Sequence, residues 1–259
     1  MHTPYIGITG FVNSHEVADV LDSTPRESDR LLMIGVLASS RTLLGRESRW
    51  PNRYPDVNSI AAIFPQHHLA LNLVHYNTEK PDTLCQQMVE LTGLGGPDLH
   101  GYQLNIPWPS VAELSGYRRQ FPEMTIVLQI SQTSLQMVDS SARDLVDKLA
   151  REYAGLVDYI LLDPSAGYGI PLDSRWAAEY LQVLHEADLG MGLGVAGGLG
   201  PSSLDLVEPL INDFPDLSID AESRLRDEDD RLDTGKARDY IGKARQLFGR
   251  SGLLDTRRM

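Results

Sequence analysis

The sequence predicts one α/β domain over residues 1–259, with eight parallel strands closed into a (β/α)₈ barrel. Two observations carry that prediction. Short apolar runs of strand length alternate with helical patterns eight times, each pair bounded by glycine, proline, serine or asparagine. The length, 259 residues at 42% apolar content, suits a barrel built as one domain. An open doubly wound sheet is the competing arrangement, and the number of strands favours closure.

In chain order, Tyr5 to Thr9 reads as the first strand, and Ser14 caps a helix ending at Leu21. Leu31 to Leu37 is the second strand, followed by an arginine-rich connection from Ser39 to Asp56 and an apolar stripe from Val57 to Phe64. The third strand spans Leu69 to His75, and Asp82 caps a helix that runs through Leu91. Gly101 to Ile106 is the fourth strand, and Ser110 opens a helix to Phe121. Strand five is Thr125 to Ile130, with a helix from Ser141 to Tyr153; strand six is Tyr159 to Leu162, with a helix from Asp173 to His185. Gly190 to Ala196 forms strand seven, and an amphipathic pattern covers Ser202 to Phe214. Leu217 to Asp220 is strand eight, and the last helix runs from Thr234 to about Phe248, leaving a short frayed tail over 250–259. The acidic run from Asp227 to Asp233 reads as a solvated loop.

Charge and composition exclude several function classes. A formal net charge of −13 disfavours any extended contact with a phosphate backbone, so nucleic acid is not an expected partner. No apolar run approaches the roughly 18 residues of a membrane span, and the first residues lack the basic and long apolar regions of a signal peptide. No membrane partner is expected, and the expected location is cytoplasmic. The single cysteine, Cys85, fits a reducing compartment and reads as an inert thiol within a helix. His67 and His68 are adjacent and lack a nearby carboxylate at ligand spacing, so neither a metal nor another cofactor is expected.

The stretch from Gly190 to Pro201, GMGLGVAGGLGP, carries the clearest chemistry. A strand running through Gly197-Gly198 toward a helical pattern lets backbone N–H groups approach an anion, with a helix dipole behind them. In a barrel the chemistry lies at the C-terminal strand ends, with phosphate commonly held after strands seven and eight. The residues at those ends are Thr9, Asn13, Arg41, Arg53, His75, Asn105, Gln129, Asp163, Gly197-Gly198 and Asp220 through Arg224. Gly197, Gly198, Ser223 and Arg224 are therefore the candidate phosphate site.

Three blocks, VDYILLDPSAGYGIPLD (Val157 to Asp173), GVAGGLGPSSLDLV (Gly194 to Val207) and LSIDAESRLRDEDDRLDTGKARDYI (Leu217 to Ile241), resemble successive segments of phosphoribosylanthranilate isomerase. YIGIT at Tyr5, NRYPD at Asn52 and YQLN at Tyr102 resemble its earlier segments. The resemblance implies a barrel that carries out an Amadori rearrangement of a phosphorylated ribosylamine, with one general acid and one general base. It places Asp163 as the general acid and Arg53 as the holder of the aromatic carboxylate. Asp220 and Asn105 fall at substrate-contacting positions.

This sequence also departs from that pattern. The family's basic cysteine on the first strand aligns with Ile6, its fourth-strand histidine with Asn105, and the glycine of its last phosphate turn with Arg224. A replacement base would have to come from elsewhere, with His75 and Glu222 as the candidates. The expected partner is a small phosphorylated molecule, bound by a monomer or homodimer. A lyase or epimerase acting on another sugar phosphate, or a non-catalytic phosphosugar or nucleotide sensor, remains an alternative to the isomerase.

Overall fold

The computed structural model describes residues 2–24, 27–165 and 170–255, with side chains through 249. Eight strands, β1 (Tyr5–Thr9), β2 (Leu31–Ser39), β3 (Ala70–Asn77), β4 (Gly101–Leu104), β5 (Thr125–Ser131), β6 (Tyr159–Asp163), β7 (Gly192–Ala196) and β8 (Ser218–Ala221), close in sequence order. Every neighbouring pair is parallel. The ring shuts where β1 meets β8, with Gly7 opposite Asp220. This is the (β/α)₈ barrel expected from the alternating pattern, and the open sheet is excluded.

The two-residue alternation of a strand sends successive side chains to opposite faces, which sorts the core into two layers. Tyr5, Met33, Leu71, Leu73, Val127, Tyr159, Leu161 and Ala196 fill the barrel interior. Ile6, Ile8, Val17, Val20 and Tyr240 belong to the larger layer between strands and helices. Along the inward faces apolar residues give way to polar ones toward the C-terminal ends: His75 follows Leu73, Gln129 follows Val127, and Asp163 follows Leu161. That change of polarity positions the site.

Several helices begin within a residue of the starts expected from the sequence. The helices are α1 (Ser14–Leu21), α2 (Ser40–Leu43), α3 (Ile60–Ile63), α4 (Leu84–Gly95), α5 (Val111–Gln120), α6 (Gln132–Gln136), α7 (Ala142–Lys148), α8 (Ser174–Ala187), α9 (Glu208–Ile211) and α10 (Thr234–Asp255). Ser110, Ser141 and Asp173 each accept a backbone N–H from the first turn of α5, α7 and α8. Two caps differ. Asn13, not Ser14, caps α1 by accepting from Glu16 N, and Asp82 sits inside a 3₁₀ turn ahead of α4, whose start has no side-chain cap. Cys85, half-buried on α4, packs against the outer core, and burial pushes its thiol up.

The region after β7 departs most from expectation. The amphipathic pattern over 202–214 forms a 3₁₀ turn at Leu204–Leu206 and then the four-residue α9. Pro209, which has no N–H and clashes with a preceding turn, fits only at the start of a helix and so divides the pattern. The acidic run is more than a solvated loop. Asp227 Oδ1 accepts from Asp229 N and Arg231 N, and Asp233 Oδ1 accepts from Lys236 N in the first turn of α10. α10 continues past Phe248 to Asp255; residues 256–259 of the expected tail lie outside the described residues. Among the described residues no helix is long and apolar enough to cross a membrane.

Candidate active site

A small pocket opens at the C-terminal ends of the strands. Its wall includes eight of the ten residues singled out from the sequence: Asp163, His75, Glu222, Asp220, Asn105, Gly197, Gly198 and Ser223. Gln103, Gln129 and Ser165 join them. Asp163 and Asp220 end the inward faces of β6 and β8, while His75 lies near the end of β3.

One hydrogen-bonded chain crosses the barrel and ties the two aspartates together. Thr9 Oγ1 donates to both oxygens of Asp220 (3.2 and 3.1 Å), and Gln103 Nε2 donates to Asp220 Oδ2 (3.1 Å). Gln103 Nε2 also reaches Gln129 Oε1 at 3.5 Å, and Gln129 Nε2 donates to Asp163 Oδ2 at 2.7 Å. Asp163 Oδ1 accepts from Ser165 N (3.0 Å) and Ser165 Oγ (2.5 Å). His75 Nε2 lies 3.1 Å from Gln129 Oε1. Gln129 turns its NH₂ toward Asp163 and its carbonyl toward His75, and because a carbonyl can only accept, His75 Nε2 is the donor.

Burial dominates the titration of both aspartates, because a low-dielectric interior disfavours the charged form. Asp163 is raised by burial and by the charge of Glu222; the two Ser165 hydrogen bonds and His75 oppose the rise. Asp220 is raised to about 7, first by burial and then by Glu222 and Asp163, against the Gln103 and Thr9 hydrogen bonds. β1 makes the space for it. A Cβ at Gly7 would stand 2.8 Å from Asp220 Oδ1 and 2.7 Å from Met33 Cε.

Two sequence-derived candidates lie off the pocket wall. Arg53 directs its guanidinium to protein carboxylates: Nε to Asp230 Oδ1 and Oδ2 (3.0 and 2.8 Å), Nη2 to Asp230 Oδ1 (2.7 Å) and Nη1 to Glu222 Oε1 (2.7 Å). It is a clamp between the loops after β2 and β8, so the fork expected to hold a ligand carboxylate is already filled. The same contact corrects Glu222, which is ion-paired instead of standing free as a base. Arg224 is exposed and packs against the loop after β7, where a Cβ at Gly200 would lie 2.8 Å from Arg224 Cβ.

Ile6 is corrected more fundamentally. It belongs to the layer between strands and helices, whereas Tyr5 and Thr9 point into the barrel. Its side chain does not line this pocket. The phosphate cradle also loses the helix dipole expected behind it, because only short turns follow Gly197 (φ +121°) and Gly198 (φ +53°). The glycine-rich segment at 166–169 of the strand-six block lies outside the described residues.

Gln103 and Ser165 escaped the sequence reading. The signal was parity, since each stands two residues from a chosen candidate, Asn105 and Asp163, and thus on the same side of an extended chain. Among the described residues no three His, Cys, Asp or Glu side chains are placed to hold one metal ion.

No known family profile matches the chain, and no curated protein matches it. Solved structures do. A phosphoribosyl anthranilate isomerase from Thermus thermophilus superposes with a TM-score of 0.65 at 15% identity, covering 94% of this chain and 99% of its own. An N-(5'-phosphoribosyl)anthranilate isomerase from Pyrococcus furiosus gives 0.63 at 15% identity, with 94% and 99% covered. TrpF from Jonesia denitrificans gives 0.61 at 16% identity, with 94% and 98% covered. At these identities the likeness is one of fold.

Proposed function

We propose that the protein is an acid–base isomerase of a phosphorylated ribose derivative, with Asp163 and Asp220 as its proton-transfer pair. The observation that carries this reading is the presence of two buried carboxyls in one pocket, each raised by burial and each held by its own set of donors. Paired carboxyls in distinct environments can divide acid and base roles near neutral pH. The loops bearing Gly197, Gly198 and Ser223 meet at the same pocket, which supports a phosphate group there. The fold likeness to phosphoribosylanthranilate isomerases supports the substrate class.

On this reading the two carboxyls share one proton near neutral pH, and with it on Asp163 that residue gives it to the ribose ring oxygen as the C1–O bond breaks and the amine lone pair forms C1=N. Asp220, ionised, takes the proton from C2, and that electron pair becomes the C1–C2 double bond of an enaminol. Protonation at C1 and loss of the C2 hydroxyl proton give the aminoketose, with no net proton consumed. Asp220 fits the base role better than His75 or Glu222 does. His75 engages Gln129 through Nε2, and Glu222 faces Arg53 at 2.7 Å.

The test is turnover of a phosphorylated ribosylamine to its ketose by the wild type and by Asp163→Asn. A loss of about 10²- to 10⁴-fold is expected for removal of a general acid. Intact binding of phosphate esters without turnover in the wild type would favour the non-catalytic binder instead.

A further inference from the structure

From the charge layout of the pocket we infer that the substrate's non-phosphate end is a neutral, hydroxyl-donating group and not a carboxylate. The inference rests on the phosphosugar reading above and narrows it.

The pocket wall holds three carboxyl groups, Asp163, Asp220 and Glu222, and among the described residues that line it there is neither lysine nor arginine. Arg53, which the sequence resemblance assigns to a ligand carboxylate, already makes three hydrogen bonds to Asp230 and one to Glu222. A single guanidinium shared by two carboxylates leaves that corner with no net positive charge. An incoming carboxylate would therefore meet acceptors and like charges, an arrangement that discriminates strongly against it. Gln103 makes the complementary demand. Its Oε1 is fully buried without a partner while its Nε2 is engaged by Asp220, and a buried lone acceptor calls for a donor. A ligand hydroxyl supplies that hydrogen; a carboxylate cannot.

The experiment is calorimetric titration of the full chain with two hydrolytically stable phosphorylated ribitol amines, one carrying 2-hydroxyaniline and the other 2-carboxyaniline. Phosphorylated ribose serves as the reference probe. The wild type is expected to bind the neutral amine at least tenfold more tightly than the carboxylated one. Asp230→Asn, at a left-handed position (φ +62°) that asparagine tolerates, removes one of the two charges on Arg53. It is expected to narrow the gap by raising affinity for the carboxylated ligand. Equal or tighter binding of the carboxylated ligand by the wild type overturns the inference, as does an unchanged ratio in Asp230→Asn. Failure of phosphorylated ribose itself to bind would instead overturn the phosphosugar reading and this inference with it.

Discussion

The side-chain amide of Gln129 holds Asp163 and His75 at once, donating to Asp163 Oδ2 at 2.7 Å and facing His75 Nε2 with its carbonyl at 3.1 Å. One residue thereby fixes the orientation of the acid and the tautomer of the imidazole. The donor side favours the ionised form of Asp163, in opposition to burial. Replacing Gln129 with Met keeps volume and removes the donor, so Asp163 should rise further. The basic limb of the kcat/KM profile, where a general acid loses its proton, should then move to higher pH. An identical profile would show that the amide does not act on Asp163.

Asp220 links the site to stability. In the fold it stands at about 7, above its ordinary 3.8, so between those values the native state binds more protons than the unfolded chain. Stability therefore falls as pH rises from about 4 to about 7. A rise from 3.8 to about 7 corresponds to roughly 4 kcal/mol. Asp220→Asn lacks this ionisation and should be more stable than the wild type above pH 7, with the difference fading toward pH 4. Urea unfolding of both proteins across that range measures it; a difference independent of pH would contradict the assignment.

Gly7 is expected to tolerate no side chain. In Gly7→Ala the new methyl would meet Met33 Cε and Asp220 Oδ1, and although the methionine end can give way, the carboxylate is held by Thr9. Overpacking of this kind costs about 1–3 kcal/mol. Denaturant titration should show that loss, together with a displaced Asp220 that lowers turnover. Wild-type stability and turnover would show that the barrel absorbs the methyl freely.

Much of this architecture was legible in the sequence because one signal, the alternation of strand and helix periods, repeats along the whole chain. Helix starts read to within a residue at Ser110, Ser141 and Asp173, where the structure shows that side chain capping the first turn, while the two caps named from the sequence, Ser14 and Asp82, were displaced by Asn13 and by a 3₁₀ turn. The pattern from 202 to 214 misled because its apolar spacing is helical while Pro209 interrupts the hydrogen-bond ladder. At the site, position along the chain located eight pocket residues. It could not show that Arg53 would meet Asp230, since those residues are joined only by closure of the barrel. Nor could it show which face Ile6 presents, which depends on strand register.

The glycine pair after β7 offers a direct test of the phosphate site. Gly198 has φ +53°, a left-handed conformation that aspartate adopts more readily than most residues. Gly198→Asp should therefore fold while placing a negative charge at the expected position of the anion. Affinity for phosphorylated ribose should fall at least tenfold by calorimetry, with the thermal transition little changed. Unaltered affinity would place any phosphate elsewhere.

The central claim is that Asp220 exchanges a proton with C2 of the substrate, and solvent deuterium reports that step directly. Wild-type protein incubated with a phosphorylated ribosylamine in D₂O should introduce deuterium at the carbon derived from C2 whenever the enaminol reverts, visible as loss of the C2 proton signal by NMR. Asp220→Asn should slow that loss by about 10²- to 10⁴-fold, the usual contribution of a general base, while still binding the substrate. Exchange at the wild-type rate in Asp220→Asn would contradict the account.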